Sequence, residues 1–139
     1  MKINSKTLAQ LEPKFLRAID ANLNRLREGV RVIEDIYRYI YDNKNIAYKL
    51  KEIRHKTKIE SQVIFLKYRD IKNDVLKKST ESEKNRADFE DILIANFKRA
   101  QESARALEEY FKLIDKNISN KFKIIRYELY ELEKSILSI

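Results

Sequence analysis

The chain has 139 residues with a formal net charge of +8, one glycine, one proline and no cysteine. Its length fits one domain, and the lack of cysteine excludes disulfides and thiolate metal ligands. No stretch has the apolar length of a signal peptide or a membrane span. The excess of positive charge favours an anionic partner, although a solvated basic face would have the same composition. We therefore expect a single cytoplasmic domain over 1–139.

Four long helices are predicted along the chain. Pro13 suits the first turn of a helix, and apolar residues then recur every three or four positions as far as Ile40. Residues 69–86 carry few apolar side chains and are expected to form a mobile connection. A short helix capped by Ser5 is expected within residues 1–12. The expected bounds of the long helices are 13–41, 46–68, 87–114 and 120–137.

Two of these helices contain the same polar pattern. The motif Ala-Asn-x-x-Arg-x-x-Glu-x-x-Arg-x-x-Glu begins at Ala21 and again at Ala95, with six positions identical at an offset of 74 residues. A weaker similarity relates 50–54 to 122–126. Because two hairpins in tandem explain both similarities, we predict an all-α, up-down-up-down four-helix bundle built from an internally repeated helical hairpin. The two repeats span about 13–68 and 87–139.

Charged residues at equal distances from each hairpin turn should face each other across the hairpin. With turns near 43–44 and 117, Glu34 lies level with Arg54, and Glu108 lies level with Arg126. We interpret these as repeated structural ion pairs. The remaining arginine and glutamate residues of the motif are spaced for surface pairs within one helix, each worth about 0.2–0.5 kcal/mol.

Ion pairing does not explain the repeated asparagines, since a mid-helix asparagine is a poor helix former. In an up-down-up-down bundle both asparagines and the arginines that follow them fall at the end opposite the turns, beside the connection. One glycine cannot build a phosphate-binding loop, so arginine side chains must bind any phosphate. We predict a polar phosphate-binding pocket at this end. Its expected substrate- or phosphate-binding residues are Asn22, Arg25, Arg69, Asn96 and Arg99.

A second tier of residues around this pocket is expected to contain Arg31, His55 and Arg105. Glu52 and His55 have the spacing of half a di-iron site, but the chain contains one histidine, so the other half is missing. We therefore reject a di-iron site and interpret His55 as a hydrogen-bonded residue at a helix interface rather than a general base.

Five segments of the chain together resemble a family of small hydroxymethylpyrimidine-phosphate kinases, over about residues 16–134. Members of that family stand alone or are fused to the N-terminus of thiamine-phosphate synthase. The resemblance implies phosphorylation of 4-amino-5-hydroxymethyl-2-methylpyrimidine phosphate by ATP in thiamine biosynthesis. Where the family pattern has Gly-Thr, this chain has Leu76-Lys77. The matching segments are 21–35, 54–55, 69–75, 95–112 and 126–134.

The expected partner is thus a small phosphorylated pyrimidine, with ATP as phosphoryl donor and Mg²⁺ near Asp70 and Asp74. Phosphoryl transfer depends on positioning and charge neutralisation, and the acceptor oxygen is already ionised at neutral pH, so a chain with one histidine is suited to it. A link to thiamine-phosphate synthase and a homo-oligomer both remain open, and we expect no membrane partner.

Two other classes of function remain open. A helical interaction or oligomerisation module would use the repeat as scaffold, and would leave the polar set solvated outside any pocket. A nucleic-acid binder would concentrate its cations in one stripe, whereas acidic residues here interrupt every basic run. We rank the nucleic-acid binder last.

Overall fold

The apolar periodicity of the chain produces long helices. The computed structural model describes residues 1–60 and 62–137, and these contain seven α-helices and no strand. A π-helical turn, Ile36–Ile40, extends the second helix. The all-α class predicted from the sequence is confirmed. The helices are α1 (Ser5–Ala9), α2 (Pro13–Asp35), α3 (Lys44–Lys56), α4 (Gln62–Leu66), α5 (Glu81–Lys84), α6 (Phe89–Phe111) and α7 (Lys116–Leu137).

Side-chain caps set where several helices begin. The Asn4 carboxamide accepts a hydrogen bond from the Lys6 amide at 2.9 Å, so this residue, and not Ser5, caps α1. Asn43 caps α3 and Asp88 caps α6 in the same manner. Such oxygens satisfy amides of the first helical turn that lack a partner within the helix. The helix predicted to begin at residue 87 therefore begins at Phe89, directly after its cap, Asp88.

The helix predicted over 46–68 is interrupted after Lys56. Thr57 is buried, and its hydroxyl donates to the Arg54 carbonyl at 2.6 Å, a bond that competes with continued helix. Met1 forms hydrogen bonds with the residues before and after Ile59. Its amine donates to the Lys58 carbonyl, and its carbonyl accepts from the Glu60 amide. Residue 61 of the predicted helix and the last two residues of repeat two lie outside the described residues.

The core lies between α2, α3, α6 and α7. The apolar face of α2, from Leu16 to Ile33, is fully buried, and Phe111 stacks on Phe122 with ring centroids 5.4 Å apart. Gly29 lies where α2 meets α6, and a Cβ there would come within 3.2 Å of the Asn96 carbonyl oxygen. The two backbones can therefore approach closely because this residue has no side chain. No helix in 1–60 or 62–137 combines the length and hydropathy that crossing a membrane requires.

The predicted up-down-up-down order of the four long helices is wrong, because α2 and α6 run in opposite directions. Positions of increasing number along α2 and the π-helical turn meet positions of decreasing number on α6. Phe15 contacts Tyr110, and Tyr41, directly after the π-helical turn, contacts Phe89, with ring centroids 5.8 and 6.3 Å apart. The physical reason is the connection. At about 3.3 Å per extended residue, 69–88 can span the roughly 35 Å length of α2, so it returns to the hairpin-turn end before α6 begins.

Both ion pairs expected between helices form in the structure. Arg54 Nε donates to Glu34 Oε2 at 2.8 Å, and Arg126 Nη2 donates to Glu108 Oε2 at 2.9 Å. Both carboxylates are buried, and each also lies near the arginine three residues earlier in its helix. Arg126 additionally donates to the Tyr130 hydroxyl, a hydrogen bond that raises the pKa of its guanidinium. Counting residues from a short turn was sufficient to find both pairs.

Candidate functional site

Two adjoining clefts lie where α2 meets the connection. The first, of about 470 Å³, is bounded by the N-terminal half of α2, by residues 69–75 and by Tyr110; we name it the Asp20 cleft. The second, of about 790 Å³, lies between α2, α6 and residues 71–83; we name it the Arg99 cleft. The residues that line both clefts are Asn22, Arg25, Ile71 and Asp74.

The start of the connection is anchored to α2 by a bidentate ion pair. Arg69 Nε and Nη2 donate to the two carboxylate oxygens of Asp20 at 2.7 and 2.8 Å. Arg17 Nη2 donates to the Asp70 carbonyl at 2.7 Å. The hydrogen bond to Asp20 is also the main reason that the pKa of Arg69 is raised. These contacts hold residues 69 and 70 against the wall of the Asp20 cleft.

Asp20 is a site residue that the sequence analysis missed. Its side chain is buried, at 2% exposure, although it is a carboxylate. It lies beside Ile19 and Leu23 on the apolar face of α2, and a carboxylate on such a face signals a buried partner. Arg69, predicted to bind phosphate, instead uses two of its three guanidinium nitrogens on this carboxylate.

Arg25 and Arg99 come together from opposite helices at the Arg99 cleft. Both are exposed, and neither has a hydrogen-bond or ion-pair partner among the residues that the structure describes. Asn22 lies on the same wall, where its side-chain amide donates to the Ala18 carbonyl at 2.9 Å. Three of the five predicted binding residues therefore share one cleft, and two of them are cations available to an anion.

Asn96 makes the same internal contact as Asn22 but lines neither cleft. Its side-chain amide donates to the Ile92 carbonyl at 2.8 Å, and its backbone carbonyl lies beside Gly29. Because α2 and α6 are antiparallel, positions that match in the repeat fall on opposite sides of the helix crossing. The prediction that both asparagines would meet at one end is therefore wrong.

The two aspartates of the connection have different surroundings. The Asp70 carboxylate accepts from the side-chain and backbone amides of Asn73, which lower its pKa. Asp74 accepts from the Leu76 amide at 3.0 Å and lines both clefts. Over the described ranges, no group of three or more His, Cys, Asp or Glu side chains could hold a metal. One or two carboxylates are nevertheless the usual protein contribution to a Mg²⁺ that substrate phosphates also coordinate.

The second-tier residues predicted around the pocket, Arg31, His55 and Arg105, line neither cleft. Arg31 pairs with Asp35 at 3.1 Å and Arg105 pairs with Glu109 at 3.2 Å, as surface pairs within one helix. His55 is exposed at the end of α3, and its imidazole has no hydrogen-bond partner within the described part of the chain. The interpretation of His55 as a hydrogen-bonded interface residue is therefore wrong.

We expect Asp20→Ala to release the connection from α2, because Arg69 would lose both of its hydrogen bonds. Trypsin should then cleave faster at Lys72 and Lys77 under native conditions, as followed by mass spectrometry of the fragments. Asp35→Ala, which removes a surface partner on the same helix, is the matched control and should leave the cleavage rate unchanged. Equal cleavage of both variants would show that the Asp20 pair does not anchor this segment.

The fold and the clefts define an all-helical domain in which two arginines with no partner in 1–60 or 62–137 face a polar cleft, an arrangement suited to binding anions. The chain belongs to the ThiD2 family, whose sequence pattern matches residues 17–135.

Among curated proteins, the chain is similar to thiamine-phosphate synthases. It is 36% identical over 129 residues to that of Nostoc punctiforme, covering 92% of this chain and 37% of the relative. It is 40% identical over 122 residues to that of Prochlorococcus marinus strain SARG, covering 87% of this chain and 35% of the relative. The chain thus spans little more than a third of the length of these relatives. No solved structure matches it significantly.

Proposed function

We propose that this protein is an ATP-dependent kinase of thiamine biosynthesis that converts hydroxymethylpyrimidine phosphate to its diphosphate. The observation that carries the proposal is that Arg25 and Arg99 share one cleft and have no partner among the residues that the structure describes. An interaction module would have left these side chains outside any pocket. Membership of the ThiD2 family and the names of the relatives support the assignment to thiamine biosynthesis.

The chemistry needs little from the protein beyond positioning and charge. An ionised oxygen of the acceptor phosphate attacks the γ-phosphorus of ATP, the bond from that phosphorus to the β,γ-bridging oxygen breaks, and ADP leaves with its electrons. A phosphate monoester is largely dianionic at pH 7, so no general base is required. Arg25 and Arg99 would neutralise charge on the transferred group through their planar sets of donors.

Mg²⁺ would be held by Asp70 and Asp74 together with phosphate oxygens, and it neutralises phosphate charge when bound. Asp74 is suited to this role because it lines both clefts and its carboxylate accepts one hydrogen bond from the described residues, from the Leu76 amide. Asp70 is more constrained, since both of its oxygens accept from Asn73.

Incubation of the protein with ATP, Mg²⁺ and hydroxymethylpyrimidine phosphate tests the proposal. We expect the diphosphate and ADP to appear in equal amounts, measured by phosphorus NMR and mass spectrometry. A reaction without the pyrimidine is the control for ATP hydrolysis. Release of ADP without any diphosphate, or no reaction at all, would contradict the kinase assignment.

We also propose that the domain consists of two copies of one helical hairpin, related by an approximate twofold axis between α2 and α6. The corresponding contacts support this: each copy has the same asparagine hydrogen bond to the carbonyl four residues earlier, and the same buried glutamate–arginine pair between its helices. A functional link to thiamine-phosphate synthase would follow from the shared pathway.

A further inference from the structure

We infer that the two clefts bind the two substrates side by side, with the nucleoside triphosphate in the Arg99 cleft and the phosphorylated pyrimidine in the Asp20 cleft. This inference rests on the proposed function and deepens it, because it assigns each substrate to one side of the site. It follows from which residues the clefts share, from their different sizes, and from the apolar side chain that each contains.

The shared wall is where the reacting groups would meet. For phosphoryl transfer the acceptor oxygen must approach the donor phosphorus to about 3–3.5 Å, so both phosphate groups must reach a common boundary. Asn22, Arg25 and Asp74 line both clefts and thus form this boundary. Arg25 has no partner among the described residues, so its guanidinium is free to contact phosphates on either side.

Size distinguishes the two sides. The Arg99 cleft is the larger, at about 790 Å³ against about 470 Å³, and a nucleoside triphosphate is the larger substrate. Each cleft has three cations that the other lacks, so phosphate can bind on both sides: Lys72, Lys77 and Arg99 line the Arg99 cleft, and Lys14, Arg17 and Arg69 line the Asp20 cleft. The smaller cleft ends against the buried Asp20 and the ring of Tyr110, which suits one ring with one phosphate.

Two consecutive residues of the connection place an exposed apolar side chain in each cleft. Val75 lines the Asp20 cleft and is 93% exposed, and Leu76 lines the Arg99 cleft and is 85% exposed. Neither side chain is packed in the core. The Asp74 carboxylate accepts a hydrogen bond from the Leu76 amide, and this bond holds the backbone between the two residues. Each substrate carries one heteroaromatic ring, and Val75 and Leu76 offer each ring an apolar contact of its own, in addition to Ile71, which lines both clefts.

Steady-state kinetics of Leu76→Ser and Val75→Ser test the inference. We expect Leu76→Ser to raise the KM for ATP by about tenfold and to leave the KM for the pyrimidine monophosphate unchanged, since contact with one apolar side chain is worth about this factor. Val75→Ser should do the reverse. Leu113→Ser, at a leucine of similar exposure in the α6–α7 turn, is the matched control and should change neither constant.

Cleft-specific cations give an independent comparison. Lys77→Ala should raise the KM for ATP alone, and Lys14→Ala, which lies in the Asp20 cleft, should raise the KM for the pyrimidine alone. Lys121→Ala, on the exposed surface of α7, is the control. The reversed pattern would overturn the assignment of the substrates, and equal changes in both constants would overturn the existence of two separate subsites.

A binding experiment distinguishes failure of this inference from failure of the proposed kinase function. If the unmodified protein shows no turnover, calorimetric titration with a non-hydrolysable ATP analogue and with the pyrimidine monophosphate still tests the clefts. Binding of both ligands at once, each weakened by its own serine variant, would support two subsites without the kinase reaction. Displacement of one ligand by the other, or no binding of either, would overturn the inference.

Discussion

Replacing Arg25 or Arg99 by alanine is expected to lower kinase turnover by on the order of 10²–10³-fold, the size of effect seen when a donor aimed at transition-state charge is removed. Both side chains are exposed and have no partner in the described residues, so the thermal midpoint should stay nearly unchanged. Arg→Lys should restore part of the turnover, because lysine keeps the charge but loses the planar set of donors. Turnover with ATP and the pyrimidine monophosphate, together with thermal denaturation of each variant, measures both effects.

Arg105→Ala is the matched control for these variants. It removes an arginine of the same repeated motif, on the same helix as Arg99 but outside both clefts. Arg105 makes a surface pair with Glu109 and lies 3.5 Å from the buried Glu108, whose closer partner is Arg126. Its turnover should stay within about twofold of the unmodified protein. Near-normal turnover in Arg25→Ala and Arg99→Ala would show that the Arg99 cleft is not the phosphate site, even if the kinase activity itself is present.

Replacing Arg54 by methionine is expected to lower the free energy of unfolding by about 3–5 kcal/mol, because Glu34 would be left charged and buried without its main partner. The Glu34 carboxylate is 1% exposed and the Arg54 side chain 15% exposed, so solvent cannot replace the lost contact. Arg31 approaches no closer than 3.9 Å and is half exposed, so it compensates only weakly. Urea denaturation gives the free energy directly.

An exposed pair in the second repeat provides the control. Lys112→Met removes a partner of Glu109 at 2.6 Å, but both side chains are about half exposed, so the change in the free energy of unfolding should be far smaller than in Arg54→Met. The double variant Glu34→Leu/Arg54→Met should recover most of the stability lost in Arg54→Met, because no buried charge remains. A double variant as unstable as the single one would show that packing, and not the unpaired charge, causes the loss.

The contacts that could be predicted from the sequence are those between residues joined by a short turn. Glu34 and Arg54 are separated by one tight turn between α2 and α3, which fixes their relative heights, so counting residues identified the pair. The same reasoning identified Glu108 and Arg126. By contrast, Asp20 and Arg69 are 49 residues apart, and nothing between them fixes their separation before the chain has folded.

The sequence by itself determined the helical class and the repeated motif that contains Arg25 and Arg99, because helical periodicity and side-chain chemistry are local properties. That Arg69 pairs with Asp20, while Arg25 and Arg99 have no partner among the described residues, was decided only in the tertiary structure. The direction of α6 was decided only in the tertiary structure, since a connection as long as 69–88 can end at either end of α2. That direction brings Arg99 to Arg25 but carries Asn96 away from Asn22 to lie beside Gly29. It also places Val75 and Leu76 on different clefts, an arrangement that depends on how the connection packs against two helices at once.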